Sequence, residues 1–318
     1  MQRFTSVHDV PDLTHLLKRA EMLRNDPWQL SALGRNLTLG LIFLNPSLRT
    51  RLSTQKAAQM LGMNVMIMNM DKEGWALELE DGAVMNGNTV EHIKDAAAVM
   101  GQYCDFIGLR AFPGLKNRDE DYGEYLMERF ISYAKKPFIS LESATRHPLQ
   151  SFADLLTIRE NWAQPNPPKV VLTWAPHVKA LPQAVPNSFA EWMCRAGVDF
   201  CIAQPKGMEL SEKFTEAASV YYNQHEALEN ADFVYVKNWS AFDNYGKPYQ
   251  SGQDWLLSPE KLAHTRAAKI MHCLPVRRNV ELSDALLDGP SSLVQAQAKN
   301  RVLAAQTVLA EMIIQNKG

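Results

Sequence analysis

The stretch Asn45-Pro46-Ser47-Leu48-Arg49-Thr50-Arg51 lies between an apolar run at residues 39–44 and a run with helical spacing at residues 52–60. A strand, a short turn and a helix start make a ready anion site, because the first helical N–H groups are unpaired and face outward. Ser47 and Thr50 add hydroxyl groups, and Arg49 and Arg51 add guanidinium forks that match phosphate oxygens. Taken alone, the stretch is also readable as a helix capped by Ser47 with two exposed arginines. Its surroundings decide between the two.

Strands and helices alternate around it. Helical spacing covers residues 9–24, 51–61, 91–100 and 122–133, and apolar strand-like runs cover 39–44, 64–69, 105–109 and 137–140. The pattern restarts with a helix at 147–162. Strands follow at 170–174, 198–203, 231–236 and 269–272, with helices at 187–196 and 295–315. This alternation predicts an α/β fold of two doubly wound domains, each a parallel sheet with helices on both faces, divided near residues 143–150. Ligands of such sheets sit beyond the carboxyl ends of the strands. Residues 71–90 and 240–258 fit neither period and read as long loops, a length that is usually functional or mobile.

With 318 residues, 46% hydrophobic and 21% charged, the composition is that of a globular chain long enough for two domains. The net charge of −2 excludes bulk attraction to nucleic acid or to an anionic membrane. A highly charged anion must therefore be held by a local arginine cluster, which suits a small ligand. Cys104, Cys194, Cys201 and Cys273 form no C-x-x-C pair and no zinc spacing, as expected of free thiols in a reducing cytosol. Residues 1–10 carry no apolar signal segment and no run reaches transmembrane length, so a cytoplasmic protein is expected.

Three further places carry chemistry. Arg110 follows the 105–109 run, where it can reach the same crevice as residues 47–51. In Ala144-Thr145-Arg146-His147-Pro148-Leu149-Gln150, His147 and Gln150 stand three apart at a helix start that Pro148 favours. An imidazole N–H there can polarise a carbonyl while the amide holds an NH2 group. In His272-Cys273-Leu274-Pro275-Val276-Arg277-Arg278-Asn279, backbone carbonyls after a strand can accept from an NH2 group, and the arginines can meet carboxylate or phosphate. The chain contains no G-x-x-x-x-G-K-[ST], no G-x-G-x-x-G and no G-x-S-x-G.

Taken in order, Ser47-Leu48-Arg49-Thr50-Arg51, His147-Pro148-Leu149-Gln150 and His272-Cys273-Leu274-Pro275 resemble the aspartate/ornithine carbamoyltransferase family over nearly the whole chain, and the last run resembles its ornithine branch. One departure is informative. Ordinary ornithine enzymes carry an acidic residue after the strand that resembles residues 233–236, then Ser-Met-Gly, and these hold the ornithine ammonium. Here the strand runs into Lys237-Asn238-Trp239-Ser240. A lysine repels an ammonium and attracts a carboxylate, which argues for an ornithine acylated at its α-amine.

Trp75, Glu142, Trp174-Ala175-Pro176-His177 and the proline-rich residues 181–188 resemble the subgroup that uses N-acetyl- or N-succinyl-L-ornithine. Acetyl-type members have glutamate before the pair seen here as Glu91-His92, and succinyl-type members have proline. Val90 matches neither, but it lacks the acid that would oppose a succinyl carboxylate. Acetyl-type members also carry a lysine where this chain has Glu281, and residues 48–56 and 146–154 resemble the succinyl type more. The resemblance therefore leans to N-succinylornithine. N-acetylornithine is the alternative, and a non-catalytic carbamoyl-phosphate-binding relative a further one. A nucleotide-dependent oxidoreductase with the same alternation is disfavoured by the missing glycine fingerprint.

The resemblance implies a carbamoyl-phosphate domain over residues 1–145, with the helix 296–318 packed back on it, and an acylornithine domain over 146–295. It implies a knot through the proline-rich loop and a homotrimer with active sites at subunit interfaces, Trp75 being lent by a neighbour. It implies small-molecule substrates only, with no metal, organic cofactor, nucleic acid or membrane. Carbamoyl phosphate would meet Ser47, Leu48 (backbone), Arg49, Thr50, Trp75, Arg110, His147, Gln150, Cys273, Leu274 and Arg301. Among these, His147, Arg110, Thr50, Gln150 and Cys273 would be catalytic. The acylornithine would meet Glu142, His177, Asn187, Lys237, Arg278 and Val90. The implied reaction is direct transfer of the carbamoyl group to the δ-amine, by positioning and stabilisation of charge on the carbonyl oxygen.

Overall fold

In the computed structural model, which describes residues 1–70, 74–215, 218–249 and 252–316, the chain separates into two compact α/β units. The first takes residues 1–114 and 119–149 and returns from residue 301 onward; the second takes residues 115–118 and 150–300.

The first unit is built on strands β1 (Arg3–Phe4), β2 (Thr38–Phe43), β3 (Asn64–Asn69), β6 (Phe106–Arg110) and β7 (Phe138–Glu142), all parallel, in the order β1-β7-β6-β2-β3. Helices α1 (Leu13–Asn25), α2 (Leu48–Met60), α3 (Ile93–Tyr103), α4 (Arg118–Tyr122) and α5 (Tyr125–Ala134) connect them. Strands β6 and β7 are buried throughout and β2 from its second residue, which is why they read as unbroken apolar runs. β3 is an edge strand that leaves Met66 and Met68 exposed. α2 stops at Gly62, whose φ of +81° suits glycine. α3 and α5 pack so closely that a Cβ on Gly101 would lie 2.3 Å from the Ala134 carbonyl oxygen. The 71–90 segment contains a short strand, β4 (Leu77–Glu78), paired with β5 (Glu91–His92); its residues 71–73 lie outside the described residues.

The strand order positions the site. From β2 the chain crosses to β3 on one side, and β6 then pairs on the other side of β2. The direction of winding reverses at the carboxyl ends of β2 and β6, the place where open parallel sheets bind ligands. Phe43 is in register with Arg110 there, so the Ser47 turn and Arg110 leave the sheet side by side. Arg110 is the last residue of β6 rather than the residue after it, and a register shift at Leu109/Arg110 pairs it with Glu142.

The second unit has strands β8 (Lys169–Trp174), β9 (Asp199–Ala203), β10 (Ser219–Tyr221), β11 (Phe233–Lys237) and β12 (Lys269–Met271), parallel in the order β10-β9-β8-β11-β12. Its helices are α6 (Pro148–Glu160), α7 (Ala184–Met193), α8 (Glu212–Thr215), α9 (Gln224–Leu228), α10 (Pro259–Leu262), α11 (Asp284–Leu287) and the start of α12 (Val294–Asn316). The reversal here falls between β8 and β11, where Trp174 is in register with Lys237. Val171, Val234, Val236 and Ile270 form the core, and Tyr235 packs on Phe189 at 4.3 Å between ring centroids. Burying each such aliphatic side chain contributes roughly 1.5–3 kcal/mol. The proline-rich segment is tied down by bonds from Ser240 N–H to the Leu181 carbonyl (3.0 Å) and from Gln183 Nε2 to the Ser240 carbonyl (2.6 Å). Residues 250–251 of the second long loop and 317–318 of the closing helix lie outside the described residues.

The far end of α12 belongs to the first unit. Glu311 accepts from Arg19 Nε at 2.7 Å and lies 3.2 Å from His15 Nε2, and Met1 and Gln2 bond to Gln315 and Asn316. No helix among the described residues is long and apolar enough to cross a membrane.

Candidate active site

In the first unit the geometry starts at Ser47, the N-cap of α2, whose hydroxyl accepts from Thr50 N–H at 3.3 Å. That leaves the first N–H groups of α2, beginning at Leu48, directed at the switch point. Thr50 is buried, and its Oγ1 accepts from Arg301 Nη2 at 2.6 Å. Arg110 and Glu142 are buried together as an ion pair, and the Arg110 guanidinium lies 4.3 Å over the Phe112 ring. His147 Nε2 stands 3.5 Å from the same Glu142 oxygen. Burial, then the charges of Arg301, Arg110 and Arg49, hold the His147 imidazole well below its usual range, so it is neutral. Three arginines therefore gather about one neutral imidazole, with one acid among them. Arg51 is exposed on the outer side of α2, two residues from Arg49, as helical geometry requires.

Trp75 and Val90 are not drawn into this group. Trp75 is 53% exposed, its indole N–H bonded to Glu91 at 2.7 Å, and Val90 is 65% exposed with its N–H on the Ala76 carbonyl. A cavity of about 690 Å³ opens beside Asn45 and Phe112, but Glu80, Asp119, Glu120, Asp121 and Glu124 line it, which is wrong for phosphate.

In the second unit, Gln150 and the residues after β12 belong to one buried network. Gln150 Nε2 donates to Asp154 Oδ1 at 2.7 Å, and Gln297 Nε2 donates to the same oxygen at 2.9 Å. Gln297 Oε1 accepts from His272 N–H at 2.8 Å, and His272 Nδ1 accepts from Leu274 N–H at 2.9 Å. Leu274 is held at a φ of +56°, a left-handed conformation uncommon for leucine, which turns the backbone at once after β12. Cys273 is buried; burial, with Asp154 and Cys273 beside it, pushes the Tyr235 phenol well above its usual range. Asp154, Gln297 and Tyr235 carried no expected role. The signal that finds Asp154 is an acid in the middle of an apolar helical run, which burial tolerates only with partners.

Lys237 is buried at the second switch point near Glu281, itself buried and 3.8 Å from His272 Nε2, too long for a hydrogen bond. Burial alone would raise the Glu281 carboxyl; His272, Lys237 and the Arg277 N–H outweigh it and hold it at about 2. His177 Nε2 accepts from Arg277 Nε at 3.1 Å, and Asn187 is fully buried on α7. Arg278, expected at a substrate carboxylate, is half exposed and spent on two acids of its own chain, Asp284 at 2.7 Å and Asp288 at 2.6 Å. Among the described residues no group of three His, Cys, Asp or Glu is placed to hold a metal ion.

The family model for the aspartate/ornithine carbamoyltransferase carbamoyl-P binding domain matches residues 2–160, and that for the Asp/Orn binding domain matches residues 182–312. The chain is 50% identical to N-succinylornithine carbamoyltransferase of Bacteroides thetaiotaomicron over 98% of its length and 99% of the relative's. It is 32% identical to N-acetylornithine carbamoyltransferase of Xanthomonas campestris pv. campestris, over 96% and 95%. Its fold matches a crystal structure of N-acetyl-L-ornithine transcarbamylase with a TM-score of 0.92 at 31% identity, covering 98% of this chain and 100% of that one. In that structure a variant with valine in place of one glutamate is complexed with carbamyl phosphate and N-succinyl-L-norvaline.

Proposed function

The chain belongs to the aspartate/ornithine carbamoyltransferase family, and on that premise we propose that it transfers the carbamoyl group of carbamoyl phosphate to the δ-amine of N-succinyl-L-ornithine, giving N-succinyl-L-citrulline and phosphate in arginine biosynthesis. The observation that carries the chemistry is the buried His147 beside the Arg110–Glu142 pair, with Thr50 bonded to Arg301, at a strand switch point. Ser47, the Leu48 N–H, Arg49, Thr50, Arg110 and Arg301 hold the phosphate. A neutral imidazole N–H, with Thr50 and Arg110, meets the carbonyl oxygen as negative charge develops on it. Gln150 and the backbone at Cys273 and Leu274 orient the NH2 group. The amine attacks directly, and the leaving phosphate takes its proton.

The acyl group rests on Lys237, a buried cation where an ornithine ammonium would be repelled, and on Val90, which brings no opposing charge. The N-succinylornithine enzyme among the relatives supports the same choice. Lys237 is the buried cation we assign to an acylornithine carboxylate, with Arg278, which pairs with Asp284 and Asp288 in this single chain, and with Glu142, His177 and Asn187 completing that set. The exposure of Trp75 and Val90 in one chain supports a homotrimer in which a neighbour's loop completes each site. The knot through the proline-rich segment rests on the family resemblance alone. The first unit would be the carbamoyl-phosphate domain and the second the acylornithine domain, in a cytoplasmic enzyme.

The test is a side-by-side assay of N-succinyl-, N-acetyl- and free ornithine with carbamoyl phosphate. N-succinylornithine is expected to give the highest kcat/KM. A preference for N-acetylornithine would transfer the chain to the other acyl type, and no turnover with any would leave only a binding protein.

A further inference from the structure

Asp154 is fully buried in α6, where an isolated carboxylate would be strongly disfavoured. Its Oδ1 takes two amide donors, Gln150 Nε2 at 2.7 Å and Gln297 Nε2 at 2.9 Å. A carboxylate oxygen in that position only accepts, so each glutamine is obliged to turn its NH2 toward it. The carbonyl end of each amide then faces the other way. For Gln297 the result is visible: its Oε1 accepts the His272 N–H at 2.8 Å, and His272 in turn holds the Leu274 N–H. The same logic turns the Gln150 Oε1, as the accepting end of the amide, away from Asp154.

We infer that Asp154 is a positioning residue that sets Gln150 as an acceptor for the NH2 group of the transferred carbamoyl, and couples it through Gln297 to the His272–Leu274 turn. The inference rests on the carbamoyl-transfer reading above. An amide free to flip would present NH2 to NH2 half the time, so one buried oxygen decides whether the site selects an amino group. Two groups expected at that NH2, the Gln150 side chain and the turn at Leu274, are then set by a single carboxylate.

The test compares two donors by calorimetry and steady-state kinetics: carbamoyl phosphate, and acetyl phosphate, which carries a methyl in place of the NH2. The proteins are wild type, Asp154→Asn, Gln297→Leu and Gln150→Leu. Asparagine keeps the shape but offers one carbonyl and one NH2, so the obligation on Gln150 is lost. Asp154→Asn is expected to weaken carbamoyl phosphate about tenfold, the scale of one hydrogen bond, while acetyl phosphate changes less than about twofold. kcat should fall with the KM for the acylornithine unchanged. The double variant Asp154→Asn/Gln150→Leu should be no weaker than Gln150→Leu alone, because the two act as one unit. Gln297→Leu, which leaves Asp154 and Gln150 paired, should cost less than Asp154→Asn. Equal losses for both donors, or additive losses in the double variant, would make Asp154 merely structural. A wild type that binds neither donor would remove the carbamoyl-transfer reading itself.

Discussion

Replacing Arg110 separates what this residue does for the fold from what it does for the ligand. Arg110 and Glu142 are each 7% exposed and form an ion pair, with His147 at 3.5 Å from the same carboxylate. Arg110→Leu removes one partner and leaves Glu142 buried without it. Breaking a buried pair from one side costs about 3–5 kcal/mol, and loss of the contact over Phe112 adds about 0.5–1 kcal/mol. The single variant is therefore expected to lose about 4 kcal/mol in denaturant unfolding, and to bind carbamoyl phosphate about a hundredfold more weakly or worse. In Arg110→Leu/Glu142→Gln the orphaned charge is gone, so most of the stability should return, to within about 1–2 kcal/mol of wild type. Carbamoyl phosphate affinity should not return with it. Unfolding curves and calorimetric titrations on the three proteins decide. A double variant as unstable as the single would refute the uncompensated-charge argument. One that regained carbamoyl phosphate affinity would show that Arg110 only shields Glu142.

Three further outcomes are expected. His147→Ala should cut kcat by roughly 10²–10³-fold, as for loss of one oxyanion donor, with an unchanged near-ultraviolet spectrum; loss of the fold would make this histidine structural. Val90→Glu should depress use of N-succinylornithine about tenfold more than use of N-acetylornithine, through like charges at the acyl group, and equal kinetics on both would sink that account. Glu281 titrates at about 2 in the fold against 4.5 otherwise, so it contributes about 3 kcal/mol above pH 4.5, lost as the pH falls toward 2. Acid-unfolding curves of Glu281→Gln should accordingly be flatter in that window, and identical slopes would show that the carboxylate is not held as the geometry indicates.

What the sequence disclosed follows burial. β2, β6, β7, β8, β9 and β11 stood out because both faces of a parallel sheet are covered, which leaves little room for polar residues. β10 escaped notice because it is an edge strand of three residues, two of them exposed, and β1 because two residues carry no period. The Ser47 turn was legible as an anion site from local spacing. Arg301 was not, since only folding brings it to Thr50 from 251 residues away, and resemblance alone named it. Arg278 reads as a ligand contact from its charge, and nothing in the sequence signals that Asp284 and Asp288, six and ten residues on, pair with it.

The first unit is assembled from both ends of the chain: Met1, Gln2, His15 and Arg19 meet Gln315, Asn316 and Glu311, and Thr50 meets Arg301. During synthesis those late residues emerge only after all of residues 150–300. The second unit, nearly continuous in sequence, can therefore close on the ribosome while the first, though translated earlier, waits with part of its apolar interior uncovered. Such a nascent chain is a candidate for chaperone capture through its older half, the reverse of the usual amino-terminal-first order.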